Sequence, residues 1–445
     1  MINSLEIDFE KSFETTDGPM SSKREINEWI DGQRGSQRQN VVQLPIEKVH
    51  KWGFDRATGD FYHESGKFFR ITALEWNQEK MPIIDQPEIG ILGLLSTVID
   101  GVFHVLIQAK IEPGNVNGVQ LSPTVQATKS NYSLAHGGNV PQFVEYFTNS
   151  HCRGDVSVIS DNFQSEQGRR YFRKRNRNAI LLTAAPREIP PEFAWFTLGQ
   201  LREAFLIPNL INSCLRSVLS TLPVHSWKTG LDSVSFLSER TLLSMFRYHK
   251  EQAPDPPRVI GFGGLAEWEL NNGVLTSKRS DGIKIIGVEV DAGSREVAKW
   301  SQPLVRENSE GEYGAVITNV KGIPCWVLRF AWEPGLYDLV ELGPTWIIRD
   351  KTEGSIPSFW YERIQGNPGS RKVLDRVYSE EGGRFYQSQF RHVVYWVPPQ
   401  VAQSLPEKHV LVSDHQLRGL VAHAHYIGIE LRSLLSMAIK DWWYE

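Results

Sequence analysis

Residues Glu112–Thr124 read EPGNVNGVQLSPT, and residues Glu333–Thr345 read EPGLYDLVELGPT, a displacement of 221. Working outward from this pair, GQLR at Gly199–Arg202 is echoed by HQLR at His415–Arg418. LRSVLS from Leu215 is echoed by LRSLLS from Leu431, and both displacements are 216. Upstream, Trp52 matches Trp268, Gln86-Pro87 matches Gln302-Pro303 and Gly168-Arg169 matches Gly383-Arg384, each displaced by 215 or 216. The matches occur in the same order in both halves. One shared tripeptide arises by chance in a chain this long, but a collinear series at a nearly constant displacement is the mark of a duplication.

The expected organisation is a flexible N-terminal tail over 1–20, a first module over 21–225 carrying the active site, and a diverged second module over 226–445. The junction falls near Pro223 to Pro257, where LPVHSWKTG and APDPPR supply turn and breaker residues. Each module reads as a helical stretch, then β-type segments, then an amphipathic C-terminal helix. In the second copy that helix has Leu417, Leu420, Val421, Ala424 and Ile427 at three- and four-residue spacing. The predicted fold class is α/β (α+β), a tandem duplication packed as pseudo-symmetric halves.

With 48 Lys+Arg against 52 Asp+Glu, the 445-residue chain has no field that would draw it onto nucleic acid or anionic lipid, so any phosphate recognition must be local. A hydrophobic share of 40% is enough for a full core, which excludes disorder as the whole description. Cys152, Cys214 and Cys325 are scattered and have no CxxC spacing, so neither a disulfide framework nor a zinc site is expected. The opening MINSLEIDFEKSFETTDG has no basic, apolar leader, and the apolar window from Ile89 to Ile107 is interrupted by Asp100 and His104. A cytoplasmic protein with no membrane span is expected.

From Val119 to Thr128 polar and apolar residues alternate. As one strand, this puts Gln120, Ser122, Thr124, Gln126 and Thr128 on a single face. The second copy reads Glu341, Gly343, Thr345, Ile347 and Arg349 there, and a merely solvated face would not need the isoleucine. RRYFRKRNRN, Arg169–Asn178, is the densest cationic run. As a strand it puts Arg173, Arg175 and Arg177 on one side and Lys174, Asn176 and Asn178 on the other. Guanidinium groups suit a pyrophosphate, and the second copy has Ser388, Phe390 and His392 where the three arginines are matched. His63 in FYHESGKFF, and Tyr132 with His136 in SNYSLAHGG, are candidates for proton transfer near neutral pH.

Other motifs are decoys. GFGG at Gly261–Gly264 is not a GxGxxG fingerprint. Gly335, Glu341 and Arg349-Asp350 partly mimic a Nudix box, but Pro344 would break the helix such a box requires. Neither HExxH nor a P-loop is present.

From about Ile26 to the C-terminus the sequence resembles the NDP-hexose 2,3-dehydratases of deoxysugar biosynthesis. In the first module the resemblance is carried by TGDFYHESGKFFRI, HVLIQAKIEPGNVNGVQLSPTVQATKSNY followed by HGG, SEQGRRYFRKRNRN and FTLGQL. In the second it is carried by EPGLYDLVELGPT, EEGGRFY and ELRSLLS. One departure is Asn212-Ser213-Cys214-Leu215-Arg216, where the family has a motif like NMDTR. The resemblance implies two Nudix-like modules in a homodimer and removal of the C2 hydroxyl of a dTDP-4-keto-6-deoxyhexose without metal or redox cofactor. A downstream NADPH-dependent 3-ketoreductase would be its pathway partner. The reaction would be a β-elimination, with His63 or His136 as base and Tyr132 as acid or enolate donor. Gln120, Gln126 and Asn131 would hold sugar hydroxyls or thymine, and Arg173, Lys174, Arg175 and Asn178 the pyrophosphate. The competing readings are a non-catalytic nucleotide-sugar binding protein and a metal-dependent nucleotide-diphosphate hydrolase.

Overall fold

The computed structural model describes residues 7–132, 140–148, 150, 153–223, 235–278, 283–293, 298–307, 311–349 and 356–438. Its centre is a pair of seven-stranded sheets of identical topology. In the first, the hairpin Gly90–Ile99 and Val102–Ile111 is flanked by Val156–Ser165, Arg175–Thr183 and Phe193–Thr197. In the second, Gly311–Val320 and Ile323–Trp332 are flanked by Arg371–Ser379, Gln389–Trp396 and His409–Ser413. The hairpin strands are near-continuous apolar runs because most of their residues are buried on both faces. Among the described residues no helix is long and apolar enough to cross a membrane.

Each module also has a smaller sheet, and here the modules exchange strands. Asn40–Leu44, from the first module, pairs antiparallel with Lys284–Asp291 of the second. Arg258–Val259, from the second, pairs antiparallel with Arg70–Trp76 of the first. Limits drawn at 21–225 and 226–445 therefore separate the large sheets but cut through the small ones. GFGG belongs to this crossing: Gly263 donates its amide to the Thr58 carbonyl at 2.8 Å, and the Phe262 amide donates to Asp60 Oδ1 at 2.9 Å.

At the pseudo-twofold centre, helices Ser213–Leu219 and Ile429–Leu435 pack together with their arginines buried. Arg216 donates to Ser433 Oγ and to the Ile211 and Ser379 carbonyls. Arg432 donates to Ser217 Oγ and to the Ile427 and Ser165 carbonyls.

Hydrogen-bond register corrects the alignment of the repeats. The Glu166 amide donates to the Lys174 carbonyl as the Glu380 amide does to that of Ser388, both at 3.0 Å. The cationic run is therefore displaced by 214, one less than the motif match suggests. Gly168 corresponds to Gly382, Lys174 to Ser388, Asn176 to Phe390 and Asn178 to His392. Arg177 keeps its charge as Arg391, and its pair with Asp161 recurs as Arg391 with Asp375. The Gln86-Pro87 match is coincidental. Ile84 and Val305 donate to the equivalent carbonyls of Arg170 and Arg384, which sets Gln86 opposite Glu307.

Four further expectations are corrected. Within the stretch read as a flexible tail, Phe9–Glu14 is a helix capped by Asp8. Its Ser12 is buried, bonding the Phe103 carbonyl at 2.6 Å and the Leu198 amide at 3.0 Å. The C-terminal amphipathic stretch is two helices, Asp414–Val421 and Ile429–Leu435, broken near His425 at φ +66. The polar strand breaks at Pro123: Val119–Ser122 pairs with Val102–Ile111, and Val125–Ala127 crosses to Gly90–Ile99. The cationic strand breaks at Arg173, whose φ of +49 separates Tyr171–Phe172 from Arg175–Thr183.

Candidate active site

The broken strands of the first module enclose a cavity of about 300 Å³. Lys110 and Glu112, from the end of Val102–Ile111 and its turn, meet Gln126 across it. Gln126 Nε2 donates to Glu112 Oε1 at 3.1 Å, and its Oε1 accepts from Ser122 Oγ at 2.9 Å and Asn212 Nδ2 at 3.0 Å. Lys110 Nζ donates to the Gln126 carbonyl at 3.1 Å. Glu166, Tyr171, Lys174 and Asn176 form an adjoining wall. The left-handed backbone at Arg173 precedes the regular strand Arg175–Thr183, and Lys174 and Asn176 share a face and both reach the cavity.

An aromatic rim closes one side. The His63 ring meets Trp52 edge-on at 5.5 Å and Phe68 at 4.5 Å, and its Nδ1 lies 2.8 Å from Ser65 Oγ. The second module completes the enclosure with Trp300, Gln302, Glu381 and Arg384. Glu381 Oε2 accepts from Tyr171 Oη at 2.8 Å. The Arg384 guanidinium lies over the Phe69 ring at 4.2 Å and donates to Gln86 Oε1 at 3.2 Å.

Burial sets the proton affinities. It pushes the Glu166 carboxyl up to about 7, helped by the nearby Glu381 and opposed by Arg432 and Lys174. Burial lowers the Lys174 ammonium, against the pull of Glu166 and Glu88. It raises the Tyr171 phenol well above its usual range, with Glu381 and Glu166 adding to the effect. The Cys214 thiol is raised well above its usual range by burial, which makes it a poor nucleophile. The cavity thus holds a carboxyl that changes charge near neutral pH beside two lysines. It can take a proton from carbon and hold the oxyanion that results.

Of the residues singled out in the sequence, His63, Gln126, Asn131 and Lys174 line the cavity. Five others lie elsewhere. Gln120 is buried between the modules, donating to Ser379 Oγ at 2.6 Å, and the pseudo-equivalent contact is Ser165 Oγ to Glu341. Asn178 is fully buried against Ser217 Oγ at 3.0 Å. Arg175 lies 4.9 Å from the centroids of both Phe163 and Tyr337. Arg173 is exposed over Phe172. Tyr132 packs against the cluster around Phe143 and Val144, and its phenol is raised by burial and then by Glu88. His136 lies outside the described residues. Sequence reasoning did not single out Glu166, Tyr171, Lys110, Glu381 or Arg384. The signal for Lys110 was available, since the second repeat has Ala331 at its position two residues before the shared glutamate.

The counterpart position in the second module is filled. Tyr313, in place of Leu92, stacks on Phe390, in place of Asn176, at 4.4 Å. Arg170 lies over Phe385 and Phe390 and is held by Glu307 at 2.6 Å. Arg349 pairs with Glu333, and a void of only about 10 Å³ remains.

A family model described as NDP-hexose 2,3-dehydratase matches residues 23–222 and again 239–438. A relative from Amycolatopsis orientalis, named dTDP-4-dehydro-6-deoxy-alpha-D-glucopyranose 2,3-dehydratase, is 35% identical over 443 residues, covering 95% of this chain and 91% of its own. Relatives of the same name from Saccharopolyspora spinosa and Streptomyces violaceoruber are each 32% identical. They cover 94% and 92% of this chain and 91% and 95% of their own. Among solved structures, an ADP compounds hydrolase aligns at 17% identity over 34% of this chain and 78% of that chain, with a TM-score of 0.19. With both repeats matched separately and relatives aligned over nearly their whole length, the chain belongs to the NDP-hexose 2,3-dehydratase family.

Proposed function

We propose that the protein removes the C2 hydroxyl of dTDP-4-keto-6-deoxy-D-glucose by β-elimination, giving the nucleotide-linked 3,4-diketo-2,6-dideoxy sugar. The observation that carries this reading is the asymmetry between the modules. One copy of the duplicated fold opens into a cavity furnished with acid and base groups, and its counterpart is closed by Tyr313, Phe390 and Arg349.

The C4 ketone acidifies the hydrogen on C3, and the C2 hydroxyl lies β to that ketone. Glu166 takes the C3 proton, since a carboxyl raised to about 7 is a stronger base than an exposed one and is still substantially ionised at neutral pH. Lys110 holds the negative charge that develops on O4. Lys174, made more acidic by burial, protonates the departing C2 oxygen as water. The enol that remains tautomerises to the diketone, and no hydride moves.

The base role is given to Glu166 rather than His63 because the His63 ring is wedged at the aromatic rim, whereas Glu166 shares a wall with Lys174. In this reading His63, Gln126 and Asn131 bind sugar hydroxyls, Trp52, Phe68 and Trp300 offer faces to thymine, and Arg384 takes the diphosphate. Descent of each module from a Nudix-like fold, a cytoplasmic homodimer and a 3-ketoreductase that consumes the unstable diketone complete the proposal.

The test is incubation with the ketosugar and an NADPH-dependent 3-ketoreductase as trap, with and without chelator. The expected product has lost the C2 oxygen in both. Unchanged sugar would mean a binding protein, and release of dTMP a hydrolase.

A further inference from the structure

At one turn beside the cavity the two halves differ by a carboxylate. The turns after Val156–Ser165 and Arg371–Ser379 share one hydrogen-bond pattern. Arg170 and Tyr171 donate their amides to the Gln167 carbonyl, and Arg384 and Phe385 donate theirs to the Glu381 carbonyl. Gln167 and Glu381 are therefore equivalent, as are Glu166 and Glu380. In the closed half the pairing is complementary, with Gln167 Nε2 donating to Glu380 Oε2 at 2.6 Å. In the open half the corresponding side chains are Glu381 and Glu166, two carboxyls lining one cavity. A carboxamide there would give Glu166 a donor, whereas a carboxylate denies it one and repels its charge. Glu381 is instead held by the phenol of Tyr171, whose counterpart Phe385 has no hydroxyl to offer.

We propose that Glu381, carried by the second module, is a positioning residue for the first module's reaction, fixed by Tyr171 beside Glu166 so that Glu166 holds a proton readily enough to take it from carbon near neutral pH. This rests on the reaction proposed above. It also gives the closed module a part in catalysis. The other groups acting on Glu166 are the ammonium of Lys174 and the guanidinium of Arg432, which favour its charged form, and the Asn176 amide, which donates to its Oε1 at 2.7 Å. Cys214 and Tyr171 face the same space as neutral groups. Glu333, Glu341 and Glu430 share a small void with Glu166, and burial holds Glu341 and Glu430 towards their neutral forms; after burial, Glu381 is the group that most opposes Lys174, Arg432 and Asn176.

The experiment is Glu381→Gln in the full chain. Glutamine already occupies the equivalent place as Gln167, so the fold accommodates it. Infrared titration of the unliganded protein follows the protonated carboxyl band that Glu166→Gln removes. In Glu381→Gln the midpoint of that band is expected to fall by roughly one unit. The rising limb of kcat/KM against pH should move to lower pH by the same amount. An unchanged or higher midpoint overturns the proposal, as does a kcat that falls at every pH with the limb in place. Because the infrared titration needs no substrate, a wild-type protein that leaves the ketosugar intact would overturn the reaction assignment, and the midpoint would still decide the coupling of the two carboxyls.

Discussion

Arg216 Nε donates to Ser433 Oγ at 2.7 Å, and Arg432 Nε returns the contact to Ser217 Oγ at 3.3 Å. Both guanidinium groups are buried, so each needs every hydrogen bond the opposite module supplies. Arg216→Met and Arg432→Met should each lower the unfolding free energy by about 3 kcal/mol. The double variant should lose less than the sum, because the two share one interface. Urea unfolding measures all three.

Because strands are exchanged across the modules, cutting the chain between Pro223 and Ser235 should not release two independent halves. The fragments are expected to co-elute on gel filtration and to retain turnover. Neither fragment expressed alone should be active, since Glu381 and Arg384 line the cavity from the far side of the cut.

Lys110→Met and Lys174→Met remove the cations placed at the reacting oxygens, and each should reduce kcat by about 100-fold or more. Arg173→Gln, outside the cavity and matched by Gln387, should leave kcat within about twofold. Steady-state kinetics with the coupled reductase separates these outcomes. A large loss at Arg173 would restore the pyrophosphate strip read from the sequence.

Burial pushes Glu341 up to about 7, above its unfolded value of 4.5. A folded-state value raised in this way favours folding fully below the unfolded value and loses that contribution as pH rises through the folded one. Glu341→Gln is therefore expected to match the wild type in thermal stability below about pH 4 and to exceed it at pH 8. The equivalent residue is already Gln120, so the side chain fits, and melting curves at the two pH values read the difference.

The duplication was legible because the residues that keep it are those a pseudo-symmetric pair must share. These are the EPG turns, whose Gly114 and Gly335 amides donate to the Gly382 and Gly168 carbonyls, and the buried arginines of the two LRS motifs. The strand exchange was not legible, because nothing in NVVQL at Asn40–Leu44 names a partner more than 240 residues away. Alternation correctly marked Gln126 and Lys174 as belonging to polar faces, but a face does not say what it meets. Gln120, read onto the face of Gln126, lies before the break at Pro123 and is buried against Ser379 instead. A single left-handed residue took Arg173 out of the cationic strip, and the alternation from Lys174 onward held. Glu166 escaped notice because its chemistry comes from burial and from a residue of the other repeat, neither of which is written beside it in the chain.

A lone module would leave its Asn40–Leu44 or Arg258–Val259 segment without an acceptor and the matching sheet edge bare, a liability that invites a second copy. The single-unit ancestor of this chain would then have been whole only as a symmetric pair with two equal cavities. Fusion of the two genes removed the demand for symmetry. One twin could fill its hollow with tyrosine, phenylalanine and arginine and become the wall of the other.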